Sequence, residues 1–242
     1  NTPTFDWDDI TDAVEYQIQV DNNSNFSSPE RDRAGLTTST YTPTSSLSDG
    51  TYYWRVRAKD NVNNWGNWSE VWTFTIDKQP PSVPNLISPA NGAAINDNTP
   101  TFDWSDITDA IEYQLQVDDN SNFSSPILDQ TGLNVSTYTP TSPLSDGTYY
   151  WRVRAKDNVG NWGGWSSTWS FIIDTQGPGA PQLNSPANGA TISDNTPSFE
   201  WSDVSGAVAY ELMVDNNSEF GSPEIHKTSL TSSDYTSATP LA

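Results

Sequence analysis

The chain has 242 residues, with 31 acidic against 10 basic side chains, a formal charge of −21 and no cysteine. That charge opposes binding to nucleic acid or anionic lipid, and without cysteine neither a disulfide framework nor a thiolate metal site is available. No apolar run approaches the roughly 20 residues that cross a bilayer as a helix, so no membrane insertion is expected, and the 11 Trp, 10 Tyr and 8 Phe are the natural source of a packed core.

One period organises the rest. Trp7, Trp104 and Trp201 stand 97 residues apart, as do Val20, Val117 and Val214, and the run TYYWRVRAKDNV occurs at 51–62 and again at 148–159. Residues 1–80 align with 98–177 without a gap, with about 61 of 80 positions identical. An array of domain-sized repeats suits spacers, stalks, adhesive surfaces and filament subunits better than catalysis. Pro80, Pro81 and Pro84, then Pro178 and Pro181, mark the joins, because proline removes ladder donors and stiffens the chain. The expected modules are 1–78, lacking its first strand; 81–176, complete; and 179–242, lacking its last strands. They are expected to stack as a semi-rigid rod. The end modules would be completed by further repeats of the same chain or by strands from a copy of it, as in strand donation between subunits.

In the middle repeat the first predicted strand is Asn85–Ser88, followed by the turn Pro89-Ala90-Asn91-Gly92. Thr99–Ser105 is a second strand, in which Phe102 and Trp104 alternate with polar neighbours. Ala110–Val117 alternates too, with Ile111, Tyr113, Leu115 and Val117 on one face and Glu112, Gln114 and Gln116 on the other. A polar loop, 118–125, leads to an edge-like segment at Ile127–Gln130 and a short strand at Ser136–Thr139. After the turn Ser145-Asp146-Gly147, Thr148–Lys156 places Tyr149, Trp151, Val153 and Ala155 on one face and Tyr150, Arg152, Arg154 and Lys156 on the other. Thr168–Ile173 closes the repeat. Short strands with turn signals every 8–12 residues, and no helical period, predict an all-β chain of tandem seven-stranded antiparallel β-sandwiches.

These residues resemble the fibronectin type III pattern: Trp104 on the second strand, Tyr113-x-Leu115-x-Val117 on the third, and Leu144 followed by Gly147-Thr148-Tyr149-x-Trp151-Arg152-Val153-x-Ala155 on the sixth. The resemblance covers nearly the whole chain. It implies tandem fibronectin type III-like, Ig-like β-sandwiches of a large extracellular or cell-surface protein, with a tyrosine corner at Tyr149 and Tyr52. It does not imply one function, because this sandwich serves many tasks.

Three constellations are candidates for more than folding. Trp162-Gly163-Gly164-Trp165-Ser166, and Trp65-Gly66-Asn67-Trp68-Ser69 before it, resemble the WSxWS box of cytokine receptors, with Gly for the first Ser. The resemblance implies tryptophans interleaved with Arg152 and Arg154, or Arg55 and Arg57, as a cation–π ladder; the alternative is an exposed aromatic platform for sugars or a partner. The loop after the third strand carries oxygens at alternate positions, Asp21, Asn23 and Asn25, then Asp118, Asn120 and Asn122, and Asp215, Asn217 and Glu219. That spacing matches the start of a calcium loop, but the glycine at its sixth position and the glutamate at its twelfth are missing; a turn of Asx side chains satisfying their own backbone is the other reading. Calcium is the one cofactor suggested. N-x-S/T triplets at Asn22, Asn25, Asn67, Asn122, Asn134 and Asn216 are glycosylation candidates if the chain is exported.

Catalysis finds little support. His226 is the one histidine and reads as a lone solvent-facing side chain. Asp103 and Asp106 could pair as acid and base, but they lie in a Ser/Asp turn, and a small sandwich is expected to offer no cleft. The function expected is therefore a non-catalytic extracellular structural array, with copies of itself or further repeats as partners. The alternatives are an adhesin or carbohydrate-binding array that recognises cell-surface glycans, or an accessory region of a secreted glycan hydrolase.

Overall fold

The structure, a computed structural model, describes residues 2–241, and every regular element in it is a β-strand. The first repeat holds β1 (Phe5–Asp6), β2 (Ala13–Asp21), β3 (Arg31–Leu36), β4 (Thr40–Tyr41), β5 (Gly50–Asp60) and β6 (Trp72–Ile76). In the second are β7 (Leu86–Ser88), β8 (Ala93–Ile95), β9 (Phe102–Trp104), β10 (Glu112–Asp118), β11 (Leu128–Leu133), β12 (Thr137–Tyr138), β13 (Gly147–Lys156) and β14 (Trp169–Ile173). The third has β15 (Leu183–Ser185), β16 (Ser198–Trp201), β17 (Tyr210–Val214), β18 (Ile225–Leu230) and β19 (Asp234–Thr236).

Each repeat divides its strands between two sheets, antiparallel except that β8 runs parallel to β14, with Gly92 N donating to the Ser170 carbonyl and Asp174 N to the Ile95 carbonyl. In the second repeat one sheet runs β11-β10-β13-β14-β8 and the other β12-β9-β7; the first has β3-β2-β5-β6 and β1-β4; the third has β15-β16-β19 and β17-β18. Period-2 alternation builds the core. Along β13, Tyr149, Trp151, Val153 and Ala155 point inward and are buried, opposite Phe102 and Trp104 from β9. Register carries that face across the sheet, with Leu115 opposite Val153 and Val117 opposite Trp151. Phe102 meets the Trp151 ring edge-on at 5.2 Å and Phe171 at 5.7 Å. The Tyr149 hydroxyl donates to the Ser145 carbonyl at 2.9 Å, and Tyr52 repeats the bond to Ser48 at 3.1 Å.

Three local expectations are corrected. The turn at 89–92 carries the chain from one sheet to the other and starts a strand, β8, that alternation did not reveal in so short a segment. Gly92 makes that turn with φ +77 and donates to the Ser170 carbonyl, a conformation glycine adopts without steric cost. Ile111, expected on the inner face, is 56% exposed, because it lies before the start of β10. Gln114 and Gln116, expected on a polar outer face, are buried, because Arg152, Arg154 and Asp129 bond to them across that face.

By internal packing the chain forms two compact units, Asn1–Ala94 with Thr99–Ile172, and Ile95–Asn98 with Ile173–Ala242. The first unit contains the tie between repeats one and two: the Asn161 side chain donates to the Asp77 carbonyl at 3.1 Å and to Asp157 Oδ2 at 2.8 Å. In the second unit Trp201 and Ile225 are buried, whereas Leu183 is 80% exposed and Val208 90%.

Candidate functional site

The outer face of the five-stranded sheet carries the molecule's densest polar and aromatic chemistry. Beyond β13 the hairpin 162–166 folds back along the strand: Gly163 N donates to the Ala155 carbonyl, and Ser166 N to the Val153 carbonyl, both at 2.8 Å. Ser166 Oγ in turn accepts from Val153 N at 3.1 Å. This lays the indoles over the arginines. The Arg152 guanidinium lies 4.4 Å from the Trp165 ring, Arg154 4.6 Å from Trp165 and 4.4 Å from Trp162, and the Lys156 ammonium 5.3 Å from Trp162. In the first repeat Arg55 and Arg57 stand 4.5 and 4.6 Å from Trp68, Arg57 4.6 Å from Trp65, and Lys59 5.3 Å from Trp65.

Beneath the cations runs a relay of neutral and charged acceptors. Gln116 Oε1 accepts two bonds from Arg152, at 3.0 and 2.7 Å, and Gln114 Oε1 accepts from Arg154 at 2.8 Å. Both glutamine amides donate to the Asp129 carboxylate. Each glutamine thus passes a cation's polarisation on to an anion two strands away, which orients every dipole in the row. Lys156 closes the end against Glu112 at 3.2 Å. Burial, then the Arg154 charge, lower the Arg152 guanidinium from its ordinary value, with Asp129 acting in the opposite sense. Stacking of this kind contributes about 0.5–2 kcal/mol per contact.

Sequence reasoning missed one rung. Phe123, from the polar loop, lies 4.1 Å under Arg152, and Phe26 lies 4.0 Å under Arg55. Both adopt positive φ, +53 and +54, as does Phe220 at +49. Such a backbone is costly for an aromatic residue, so packing must hold it in place. The available signal was an aromatic kept at one position of an Asn/Ser loop in all three repeats.

In the acidic loops the oxygens serve the backbone. Asp21 Oδ1 accepts from Asn23 N, Asn23 Oδ1 from Asn25 N, and Asn25 Oδ1 from Ser27 N; Asp118, Asn120 and Asn122 repeat the series. Asp118 is buried, and its Oδ2 has no hydrogen-bond partner among the described residues. No three His, Asp or Glu side chains among those residues are grouped as a metal would require. Asn22, Asn25, Asn67, Asn122, Asn134 and Asn216 are all exposed. His226 is paired with Glu211, and Asp103 lies on β9 while Asp106 is exposed in the following turn.

The first repeat does have clefts, contrary to expectation. Two adjoin, of about 390 and 350 Å³, sharing Trp7, Asp8, Val56 and Ser69. The larger is walled by Trp54 and Trp72 and rimmed by Asp6 and Glu70. In the second repeat β7 and the segment before it lie over the corresponding Trp104.

Residues 88–175 match the family model of the bacterial Ig-like domain. No curated protein matches the chain. Among solved structures, it is similar to an Fn3-like protein from Clostridium thermocellum, at 20% identity over 40% of this chain and 94% of that one, with a TM-score of 0.31. The fibronectin(III)-like modules of Clostridium thermocellum CbhA match at 13% identity over 69% and 81%, with a TM-score of 0.39. The FN1-FN3 domains of chicken CNTN1 match at 16% over 66% and 56%, with a TM-score of 0.40. At such identities and scores the fold rests on the strand order and register themselves. Both agree with the bacterial Ig-like match on the middle repeat, and the 97-residue period carries the same strand pattern to either side, so the chain is a tandem array of β-sandwich repeats whose middle member matches the bacterial Ig-like domain.

Proposed function

We propose that the chain is a non-catalytic extracellular structural array, a stalk or a component of a surface filament. The observation that carries this reading is that repeats one and two reproduce the same cation–π and glutamine–aspartate network, bond for bond. The arginines, glutamines and tryptophans of this face are committed to contacts with one another. The tie from Asn161 to Asp77 adds a link that resists bending between these two repeats. Glycans at the six exposed asparagines and calcium at the acidic loops belong to this reading as additions that an exported array would accept. Small-angle scattering and electron microscopy of the native material test it: rods or fibres that lengthen by a constant increment per repeat are expected. Compact particles, or turnover of a glycan or peptide substrate, would overturn it.

A second reading, a carbohydrate-binding or adhesive array, is favoured by Trp72, whose indole is 62% exposed beside the larger cleft. A glycan array probed with the intact chain separates the two.

A further inference from the structure

An outer strand offers unpaired amides and carbonyls to any strand that reaches it, so sheet edges are where two sandwiches can join. In the second repeat β11 is the longest outer strand, with six residues against three in β7 and β8 and two in β12. Its counterparts are β3 in the first repeat and β18 in the third. All three edges share a register shift at the same place, between Tyr113 and Leu115, Tyr16 and Ile18, and Tyr210 and Leu212. The bulge therefore does not distinguish them.

Charge distinguishes them. Residues 1–80 and 98–177 differ at 19 positions, and six of these fall among the nine positions 30–38, on the edge strand and the turn after it. In the first repeat Arg31 and Arg33 lie opposite Val20 and Ile18, which are fully buried, so both arginines stand on the core-side face of the edge. Arg31 reaches along that edge to the Ser45 carbonyl at 3.1 Å. Such inward-facing charges bar strand addition, because a joining strand would have to desolvate them. The third repeat keeps half of the barrier, with Lys227 opposite Leu212 but Ile225 opposite Val214. In the second repeat the barrier is gone: Leu128 and Gln130 stand opposite Val117 and Leu115, and the place of Glu30 is taken by Ile127, 47% exposed. The remaining charge, Asp129, faces the other way and accepts from Gln114 and Gln116.

We propose that β11 is a strand-pairing edge whose occupant is β11 of a second copy of this chain, antiparallel about a two-fold axis, so that two five-stranded sheets become one. The proposal rests on the reading of the chain as a stalk or filament component and supplies the lateral contact between such chains. Charge is what selects a second copy. Each chain carries −21, so contact is disfavoured wherever carboxylates meet, and β3 or β18 set against its own copy would crowd Arg31 and Arg33, or Lys227, with like charges. With Leu128 opposite its copy, β11 brings no such pair together, because Asp129 then faces Ile127. Since the other two edges are guarded, pairing stops at two chains, as a closed two-fold contact does.

The test is sedimentation equilibrium of the intact chain across concentration and salt. A monomer–dimer equilibrium is expected, tightening as salt screens the net charge, with amide hydrogen exchange slowed at 127–131 in the dimer. Leu128→Arg combined with Gln130→Arg gives the second repeat the side chains that the first already carries at 31 and 33, which the fold accommodates. Dimerisation is expected to weaken at least tenfold in this variant, with Tm little changed. Arg31→Leu combined with Arg33→Gln is expected to add a second pairing edge and assemblies larger than dimers. A monomer at every concentration and salt overturns the proposal, as does a dimer unaffected by the two arginines or one without protection at 127–131. Rods formed by a chain that stays monomeric would overturn the pairing and leave the stalk reading standing.

Discussion

Repeats one and two share about three residues in four, yet they bury the same tryptophans to different depths. Trp104 and Trp151 are 1% and 0% exposed, while Trp7 and Trp54 remain half-buried and Trp72 stands 62% exposed where Trp169 is half-buried. In the second repeat the segment 81–95 lies across these side chains, with Leu86 opposite Trp104. The outer ladder, by contrast, is the same in both to within a few tenths of an ångström. Its parts come from β2, the loop after it, β3, β5 and the following hairpin, or from β10, β11, β13 and the matching loop and hairpin, so it needs nothing from the first strand. Inner core and outer ladder are thus separable: the first depends on a distant segment, the second on local chain.

That separation can be broken experimentally. Trp151→Ala removes a fully buried indole and is expected to destabilise by about 3–5 kcal/mol, whereas Trp72→Ala is expected to stay within about 0.5 kcal/mol; equal losses in urea unfolding would erase the distinction. Next in size, Gly163→Ala puts a Cβ 2.6 Å from the Pro81 carbonyl oxygen, which forces that carbonyl away and should cost about 1–3 kcal/mol. Arg152→Ala leaves Trp165 and Phe123 uncovered and Gln116 without its donors, at a cost of about 1–2 kcal/mol, and Arg55→Ala should cost the same. A larger loss at Arg152 would show that the ladder does depend on the completed core.

The smallest effect is acid dependence. Burial raises the Asp157 carboxyl, but bonds from the Asn161 amide and side chain and from Val159 N outweigh it, so it ends below the ordinary value of 3.8. Asp60 is also held low, chiefly by the Asn64 amide, with burial opposing. A carboxylate lowered on folding contributes stability above its unfolded value, and that contribution is lost as pH falls through the folded one. Stability is therefore expected to fall below about pH 4, and Asp157→Asn should flatten that limb. In the second repeat protonation also strips the Asn161 bridge to Asp77 of its anchor, so scattering in acid should report loosening between these two repeats. An acid limb unchanged in Asp157→Asn would remove this carboxylate from the account.

Strand identity, inner faces and the repeat were legible in the sequence because alternation at period 2 and an interval of 97 residues are local patterns, readable at Thr148–Lys156 without coordinates. The Arg152, Arg154, Trp162 and Trp165 set was legible through a resemblance, but Phe123 was not: its loop reads as polar, and only folding carries the ring under Arg152. Strand β8 was lost because three residues show too little alternation, and its partner β14 begins 74 residues further along the chain. The buried glutamines were misjudged because alternation separates two faces of a strand but does not say what covers the outer one.

What the sequence determined by itself is the module, its all-β character and the residues that face inward, since these follow from side-chain periodicity and backbone geometry. Which tryptophans are covered, and why glycine is sterically required at 163, was decided only by tertiary structure. Both depend on whether a segment far along the chain crosses the open side of the sandwich, and contact between distant residues is a property of the fold that no local pattern contains.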